Sequence, residues 1–156
     1  MKTIALRFAD NYAPKEGTIK LHQAIINENG YVWYGKFGNT LSQKNIDLLM
    51  SQPEKKILLI KSGFPDRYWA YFEEIKKEKP LDINTIPEYY RNDTEKVKCW
   101  FKIVRFEKAE NNVMSKFIIS SSKMPLSEAS KHSLNPYFVI ETGGERNEWL
   151  QIFWWS

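Results

Sequence analysis

Hydrophobic positions in the first part of the chain follow two different periods, which predict strands and helices in turn. Residues 1–8 are predicted to form a strand. A helix is expected over residues 18–29, with Thr18 as its N-cap and Gly30 as its left-handed stop. Residues 31–36 predict a second short strand. The chain therefore begins with a strand–helix–strand unit.

The next segments predict a second helix and a pair of strands. Ser42 is typical of a helix N-cap, and this helix is expected to end before Pro53. The continuous apolar run 57–60 predicts a central strand that is covered on both faces. Residues 67–75 follow a short turn segment and are predicted to be the hairpin partner of that strand.

The second half of the chain opens with a segment that has no hydrophobic period. Residues 76–94 are rich in Lys, Glu, Pro and Asn, and a loop of this length inside a compact domain is usually functional or mobile. A long strand is predicted over residues 95–106. It is followed by a short strand near 117–119, a helix over 125–132 and a strand over 137–140.

The resulting order of elements predicts an α+β fold in which a strongly curved sheet, or a small β-barrel, carries helices packed outside. A chain of 156 residues is expected to form one domain over residues 1–156. No apolar run approaches the roughly 20 residues that a membrane-spanning helix needs, so no membrane is expected. The single Cys99 favours a reducing, cytoplasmic setting. The net charge of +4 permits an anionic partner without requiring one.

Aromatic residues are the most informative part of the composition, since they make up 15% of the chain and include six tryptophans. Strict alternation along residues 95–106 places Lys98, Trp100 and Lys102 on one strand face, opposite an apolar face that contains Cys99. If the first face is exposed, its cations and its flat π-surface suit a phosphate-linked base. The alternative is that Trp100 covers a second small core.

The layout and several short strings of this chain resemble the PUA-like superfamily, and within it the EVE and YTH branch that reads modified bases. The similarity covers roughly residues 3–141. The loop at 76–94 lies where that branch carries an aromatic residue of its base-binding cage, and here it holds Tyr89 and Tyr90. The other resembling segments are 6–11 (end of the first strand), 30–35 (first cage wall), 57–63 with 68–75 (central strands) and 97–106.

This resemblance implies a non-catalytic domain that binds a nucleic acid, RNA or DNA, and holds one flipped, methylated base in an aromatic cage. Trp33, with Tyr89 or Tyr90, would form the walls, and Asp10 or Asn11 would read the edge of the base. Trp69 is a further base-binding candidate, with packing in the core as its alternative. The candidates for contacts to the nucleic-acid backbone are Arg7, Lys36, Lys98, Trp100, Lys102 and Arg105.

Two other functions stay open. The ASCH group of PUA-like proteins includes ribonucleases, and an enzyme of that kind would use Lys61, Asp66, Arg67 and Tyr68. The aromatic tail at residues 148–156 could instead form a homodimer or bind a protein partner. No cofactor is expected, and no metal site either, because two histidines and one cysteine lack the spacing of a zinc site.

Overall fold

The computed structural model describes residues 1–8, 17–61 and 65–143. Within these residues, seven strands form one mixed sheet and four α-helices accompany it. The predicted α+β class is therefore confirmed. The sheet is curved and, among the described residues, does not close into a complete barrel.

The described elements match the predicted order closely, with one added helix after the long strand. The strands are β1 (Lys2–Arg7), β2 (Val32–Phe37), β3 (Lys56–Ile60), β4 (Tyr68–Lys76), β5 (Val97–Lys108), β6 (Phe117–Ile119) and β7 (Tyr137–Thr142). The helices are α1 (Thr18–Asn29), α2 (Gln43–Ser51), α3 (Val113–Lys116) and α4 (Leu126–His132). The strand order across the sheet is β2-β5-β4-β3-β1-β7-β6.

Local chemistry explains where the first two helices begin and end. The backbone N–H of Gly30 donates to the Ile26 carbonyl oxygen at 2.7 Å, and Gly30 has the left-handed φ of 86° that favours glycine. Ser42 accepts a hydrogen bond from the Asn45 backbone N–H, as predicted for an N-cap. Thr18 is the first residue of α1, and the N-cap is Gly17.

Among the strands of the described residues, only β1 and β3 run parallel, and every other neighbouring pair is antiparallel. As a result, the carboxyl ends of β1, β3 and β5 and the amino ends of β4 and β7 lie at the same end of the sheet. The backbone N–H of Phe8 donates to the Ile60 carbonyl oxygen at 2.8 Å, which holds the ends of β1 and β3 side by side.

The sheet has an inner face, covered by α1 and α2, and an outer face. The largest core lies on the inner face and takes side chains from strands β1 to β5 and from both helices. Curvature brings the edge strand β2 close to β7, the strand next to the opposite edge, since Lys36 Nζ on β2 lies 5.4 Å from the centroid of the Tyr137 ring on β7. The inner core is thus enclosed in the manner of a barrel.

The outer face carries two smaller cores. One lies beneath α3 and α4 and contains Trp69, Phe117 and Phe138. The other lies on β2 and β5 and is covered by the segment between β4 and β5, which forms three short 3₁₀ turns (Ile83–Thr85, Glu88–Tyr90 and Thr94–Lys96). We call this second one the outer aromatic core; it consists of Trp33, Ile86, Tyr90, Val97 and Trp100.

Candidate functional site

Four half-buried aromatic side chains pack against the inner core where the strand ends meet. They are Phe8, Tyr68, Phe106 and Tyr137, and we call this region the mouth of the sheet. Phe8 and Tyr68 form an edge-on pair with ring centroids 6.5 Å apart. Because these rings keep part of their surface accessible, the mouth offers flat apolar faces that a planar ligand can contact.

His22 on α1 lies beneath the mouth and is 0% exposed. Its Nδ1 is 2.7 Å from the Thr18 carbonyl oxygen. A carbonyl oxygen only accepts, so Nδ1 must carry the hydrogen in a neutral ring and Nε2 is left as an acceptor. Nε2 has no hydrogen-bond partner. Burial lowers the pKa of His22 to about 4, so the ring is neutral near pH 7.

Aromatic rings from three other segments surround His22. Their centroids lie 5.0 Å (Tyr34), 6.1 Å (Tyr90), 6.2 Å (Tyr89) and 6.3 Å (Phe106) from that of the imidazole. Burial raises the pKa values of Tyr34 and Tyr90, so both phenols are neutral. A buried acceptor without a partner costs about 1–3 kcal/mol, which makes Nε2 a polar atom that a ligand donor would stabilise.

The structure brings three of the predicted binding residues together, but it packs them tightly in the outer aromatic core. Trp33, Tyr90 and Trp100 are 5%, 3% and 0% exposed. The interpretation that Trp100 lies on an exposed face is therefore wrong, and the alternative, that it covers a second small core, is the observed one. Tyr89 is half-buried and packs against this core with its ring centroid 4.4 Å from that of Tyr90.

A β-bulge explains why the strand pattern misplaced Val97. The pairing of β2 with β5 shifts between Lys36, opposite Cys99, and Phe37, opposite Val97, so Lys98 is an extra residue. Val97 consequently packs with Trp100 on the outer face, although strict alternation assigned the two residues to opposite faces.

Trp69, another base-binding candidate, is not part of the outer aromatic core. Trp69 is buried in the core beneath α3 and α4, where its ring contacts Phe117 at a centroid distance of 5.6 Å. The packing alternative for Trp69 is thus the one observed. Asp10 and Asn11 lie outside the described residues.

Two of the predicted backbone-binding residues make structural contacts instead of pointing into solvent. The Arg7 guanidinium donates to the carbonyl oxygens of Ser130 (2.8 Å), Ser133 (2.7 Å) and Asn135 (2.9 Å), and so binds the C-terminal end of α4. Lys36 is buried, its ammonium donates to the Asn39 carbonyl oxygen, and burial lowers its pKa.

The remaining cations lie on or near the outer face. Lys98 is exposed. Lys102 Nζ lies 4.4 Å from the Tyr31 ring centroid and 3.7 Å from Glu73. Arg105 stacks on Tyr71, with Cζ 3.9 Å from the ring centroid, and also pairs with Glu107 at 3.2 Å. The positive charges of Lys102 and Arg105 are therefore largely compensated by neighbouring carboxylates and ring faces.

The residues named for a ribonuclease are divided between several environments. Asp66 pairs with Lys108 at 3.7 Å, and Tyr68 belongs to the mouth. Lys61 and Arg67 both line a groove on the outer face.

The tail at 148–156, named for a homodimer, lies outside the described residues. Across residues 1–8, 17–61 and 65–143, no three His, Cys, Asp or Glu side chains are grouped to hold a metal ion. No helix in the same ranges is long and apolar enough to cross a membrane.

Sequence reasoning missed His22, Tyr34 and Phe106. The sequence does carry one signal for His22, because Thr18, His22 and Ile26 are spaced by four residues and form the buried face of α1. That spacing indicates a histidine that faces a core, but it does not show which rings surround it.

A family model described as Pua-like matches residues 4–145 of this chain. The chain belongs to the Pua-like family. Searches of the curated proteins and of the solved structures gave no match. Domains of the Pua-like family commonly bind RNA, so this domain is a candidate nucleic-acid-binding module. The resemblance to the EVE and YTH branch stays a prediction.

Proposed function

We propose that this Pua-like domain binds a nucleic acid without catalysing a reaction on it, and that the mouth takes up one flipped base with a methylated exocyclic amine. The observation that carries the proposal is the buried, unpaired Nε2 of His22 within a set of aromatic rings. Membership of the Pua-like family supports the nucleic acid as the ligand class.

The energetics of base binding fit these residues. Removing a base from its stack costs a few kcal/mol, and each base–aromatic stack returns about 1–3 kcal/mol. Phe106 and Tyr89 are half-buried rings close to His22, so two stacking partners suffice to offset the flipping cost. Tyr89 thus keeps its proposed role as a wall, while Trp33 and Tyr90 support the walls from the outer aromatic core.

His22 gives the proposed site its preference for an amine. Its Nε2 accepts a hydrogen bond, and an exocyclic amine on adenine or cytosine keeps one N–H when it carries a single methyl group. Burying that methyl group in apolar surroundings adds about 0.8 kcal/mol. An exocyclic carbonyl oxygen at the same position would place two acceptors face to face. A base of that kind would therefore be disfavoured in the site.

Access to His22 requires a side chain to move, since His22 is 0% exposed. Tyr89 is half-buried and belongs to a short 3₁₀ turn between two long strands, so its displacement exposes less core than displacement of the buried Tyr34 or Tyr90 would. In this proposal Tyr89 swings aside and then closes over the bound base.

Fluorescence anisotropy with short single-stranded RNA and DNA tests the proposal, using adenine, N6-methyladenine, cytosine and N4-methylcytosine at one central position. The methylated oligonucleotides should bind about fourfold more tightly than their unmodified counterparts, since burial of the methyl group contributes about 0.8 kcal/mol. Equal affinity across the whole panel would contradict base reading by this domain.

Two variants locate the site. Tyr89→Ala should remove the preference for the methylated base, whereas Tyr31→Ala, a matched change of another half-buried tyrosine beside the outer aromatic core, should preserve it. Trp33→Ala cannot make this distinction, because truncating a buried tryptophan destabilises the fold by about 3–5 kcal/mol. Loss of the preference in Tyr31→Ala but not in Tyr89→Ala would move the site to the outer face.

A further inference from the structure

A groove of about 700 Å³ lies on the outer face, between the ends of β1 and β3 and helix α4. Arg7, Lys61, Arg67 and Lys131 supply four cations to its lining, and Met114 and Leu134 supply apolar surface. Leu134 is 99% exposed. The groove is separate from the outer aromatic core and from the rings around His22.

The described lining of this groove is positively charged. It holds four cations and, among the described residues, no Asp or Glu. Asp66, next to Arg67 in the chain, lies 3.7 Å from Lys108, and Lys131 lies 4.0 Å from Glu128. Four cations that line one concave surface attract an anion more strongly than a single exposed cation does.

The four cations differ in how firmly they are held. Arg7 is fixed by its hydrogen bonds to the end of α4, so it contributes a positioned charge to the groove wall. Arg67 precedes β4 and Lys131 lies in the last turn of α4 with an exposed side chain. These two side chains can adjust to an anion that enters the groove.

We propose that this groove binds the phosphodiester groups that flank the base held in the mouth, an inference that rests on the proposed function. Arg7 and Phe8 are consecutive residues, and Arg7 lines the groove while Phe8 packs at the mouth. A nucleic-acid strand that crosses the end of β1 thus places a base on the inner face and its neighbouring phosphates on the outer face. The exposed Leu134 side chain contacts the sugar or the next base.

The salt dependence of binding tests this assignment. Arg67→Gln/Lys131→Gln removes two cations from the groove, and Lys102→Gln/Arg105→Gln removes the same two residue types from the outer face of β5. Both are compared with the wild type for a methylated single-stranded RNA between about 50 and about 200 mM salt. Thermal unfolding verifies that each variant is folded.

The groove variant should bind about tenfold more weakly at low salt and should lower the slope of log K against log salt by about 1.4, which is about 0.7 for each lost phosphate contact. Its ratio of affinities for methylated and unmodified RNA should stay as in the wild type. The control variant should change neither quantity.

Two results would overturn the groove as a phosphate site. One is an unchanged slope in the groove variant, and the other is an equal fall of the slope in the control variant. Cleavage of the RNA in wild-type protein, lost in the groove variant, would also overturn it in favour of an enzyme. If the wild type bound all bases equally, the proposed recognition of a methylated base would be contradicted. The slope comparison would still test whether the groove binds phosphates.

Discussion

The Tyr90 hydroxyl donates a hydrogen bond to the Gly35 carbonyl oxygen at 3.0 Å, across 55 residues of chain. This bond ties the segment between β4 and β5 to the edge strand β2. It forms where Tyr90 also contacts Trp100, with ring centroids 5.6 Å apart. The segment is therefore a fixed cover for the outer aromatic core, and Tyr89, its neighbour in the chain, is placed beside His22.

Gly35 lies beneath this cover at a position that leaves no room for a side chain. A Cβ at Gly35 would lie 2.8 Å from Val97 Cγ1 and 3.2 Å from both Trp100 Cζ3 and Tyr90 Cε1. Gly35→Ala should therefore lower the free energy of unfolding by about 1–3 kcal/mol, measured by urea denaturation.

A second substitution tests whether the clash is the cause. Val97→Ala removes the closest atom, so the loss in the double variant Gly35→Ala/Val97→Ala should be smaller than the sum of the two single losses. Strictly additive losses would contradict a steric origin.

Stability should depend on pH through His22. The pKa of its imidazole is lowered to about 4 in the folded protein from 6.5 in the unfolded chain, chiefly by burial. Between these values the unfolded state binds the extra proton, so the free energy of unfolding falls as the pH is lowered from about 6.5 towards about 4, by about 3 kcal/mol in total.

His22→Gln should remove this part of the pH dependence, as followed by urea denaturation at a series of pH values. The exposed His132 lies 3.6 Å from Glu128, and His132→Gln is the matched control for the loss of an imidazole outside the core. A wild-type slope that survives in His22→Gln would mean that other groups cause it.

Arg7 should act as a structural residue of α4. Arg7→Met preserves most of the side-chain volume but removes the donors that bind the Ser130, Ser133 and Asn135 carbonyl oxygens. The variant should unfold about 1–3 kcal/mol more easily, because hydrogen bonds from a charged donor are lost. Arg67→Met, at the other side of the groove, should change stability by less than about 0.5 kcal/mol. Equal losses in the two variants would contradict the assignment.

Tyr71 lies between two cations on the outer face. Its ring centroid is 3.9 Å from Arg105 Cζ and 5.5 Å from Lys56 Nζ, and pairing across β3, β4 and β5 aligns these three residues in one row. Tyr71→Leu should lower the free energy of unfolding by about 1 kcal/mol, of which about half should depend on Arg105 in a double-mutant cycle with Arg105→Gln. A coupling energy of zero would show that the stack contributes nothing.

The sequence predicted most of the sheet because its strands are decided by local patterns. Alternation and apolar runs locate β1, β3 and β5 within a few residues, and Gly30 and Ser42 mark helix ends by their own backbone chemistry. The short helix α3 was not predicted. Its four residues are too few to show a helical period. It is stabilised by packing against the outer face of the sheet.

The candidate site was predicted less well, because its geometry depends on contacts between distant segments. The bulge at Lys98 reverses the face of Val97, and no residue type in the strand signals that shift. His22 acquires its neighbours only when α1, β2, β5 and the segment that holds Tyr89 meet. Aromatic abundance indicated that rings would converge, but it did not indicate which rings would stay accessible.

The parallel pairing of β1 with β3 has a consequence for engineering this domain. Both strands run in the same direction, so Phe8 and Ile60 lie side by side at one end of the sheet, and side chains there can be varied while the strand pairing is left intact. A library that varies side chains at this end of the sheet should therefore change ligand preference with a smaller loss of melting temperature than a library that varies the buried strand positions.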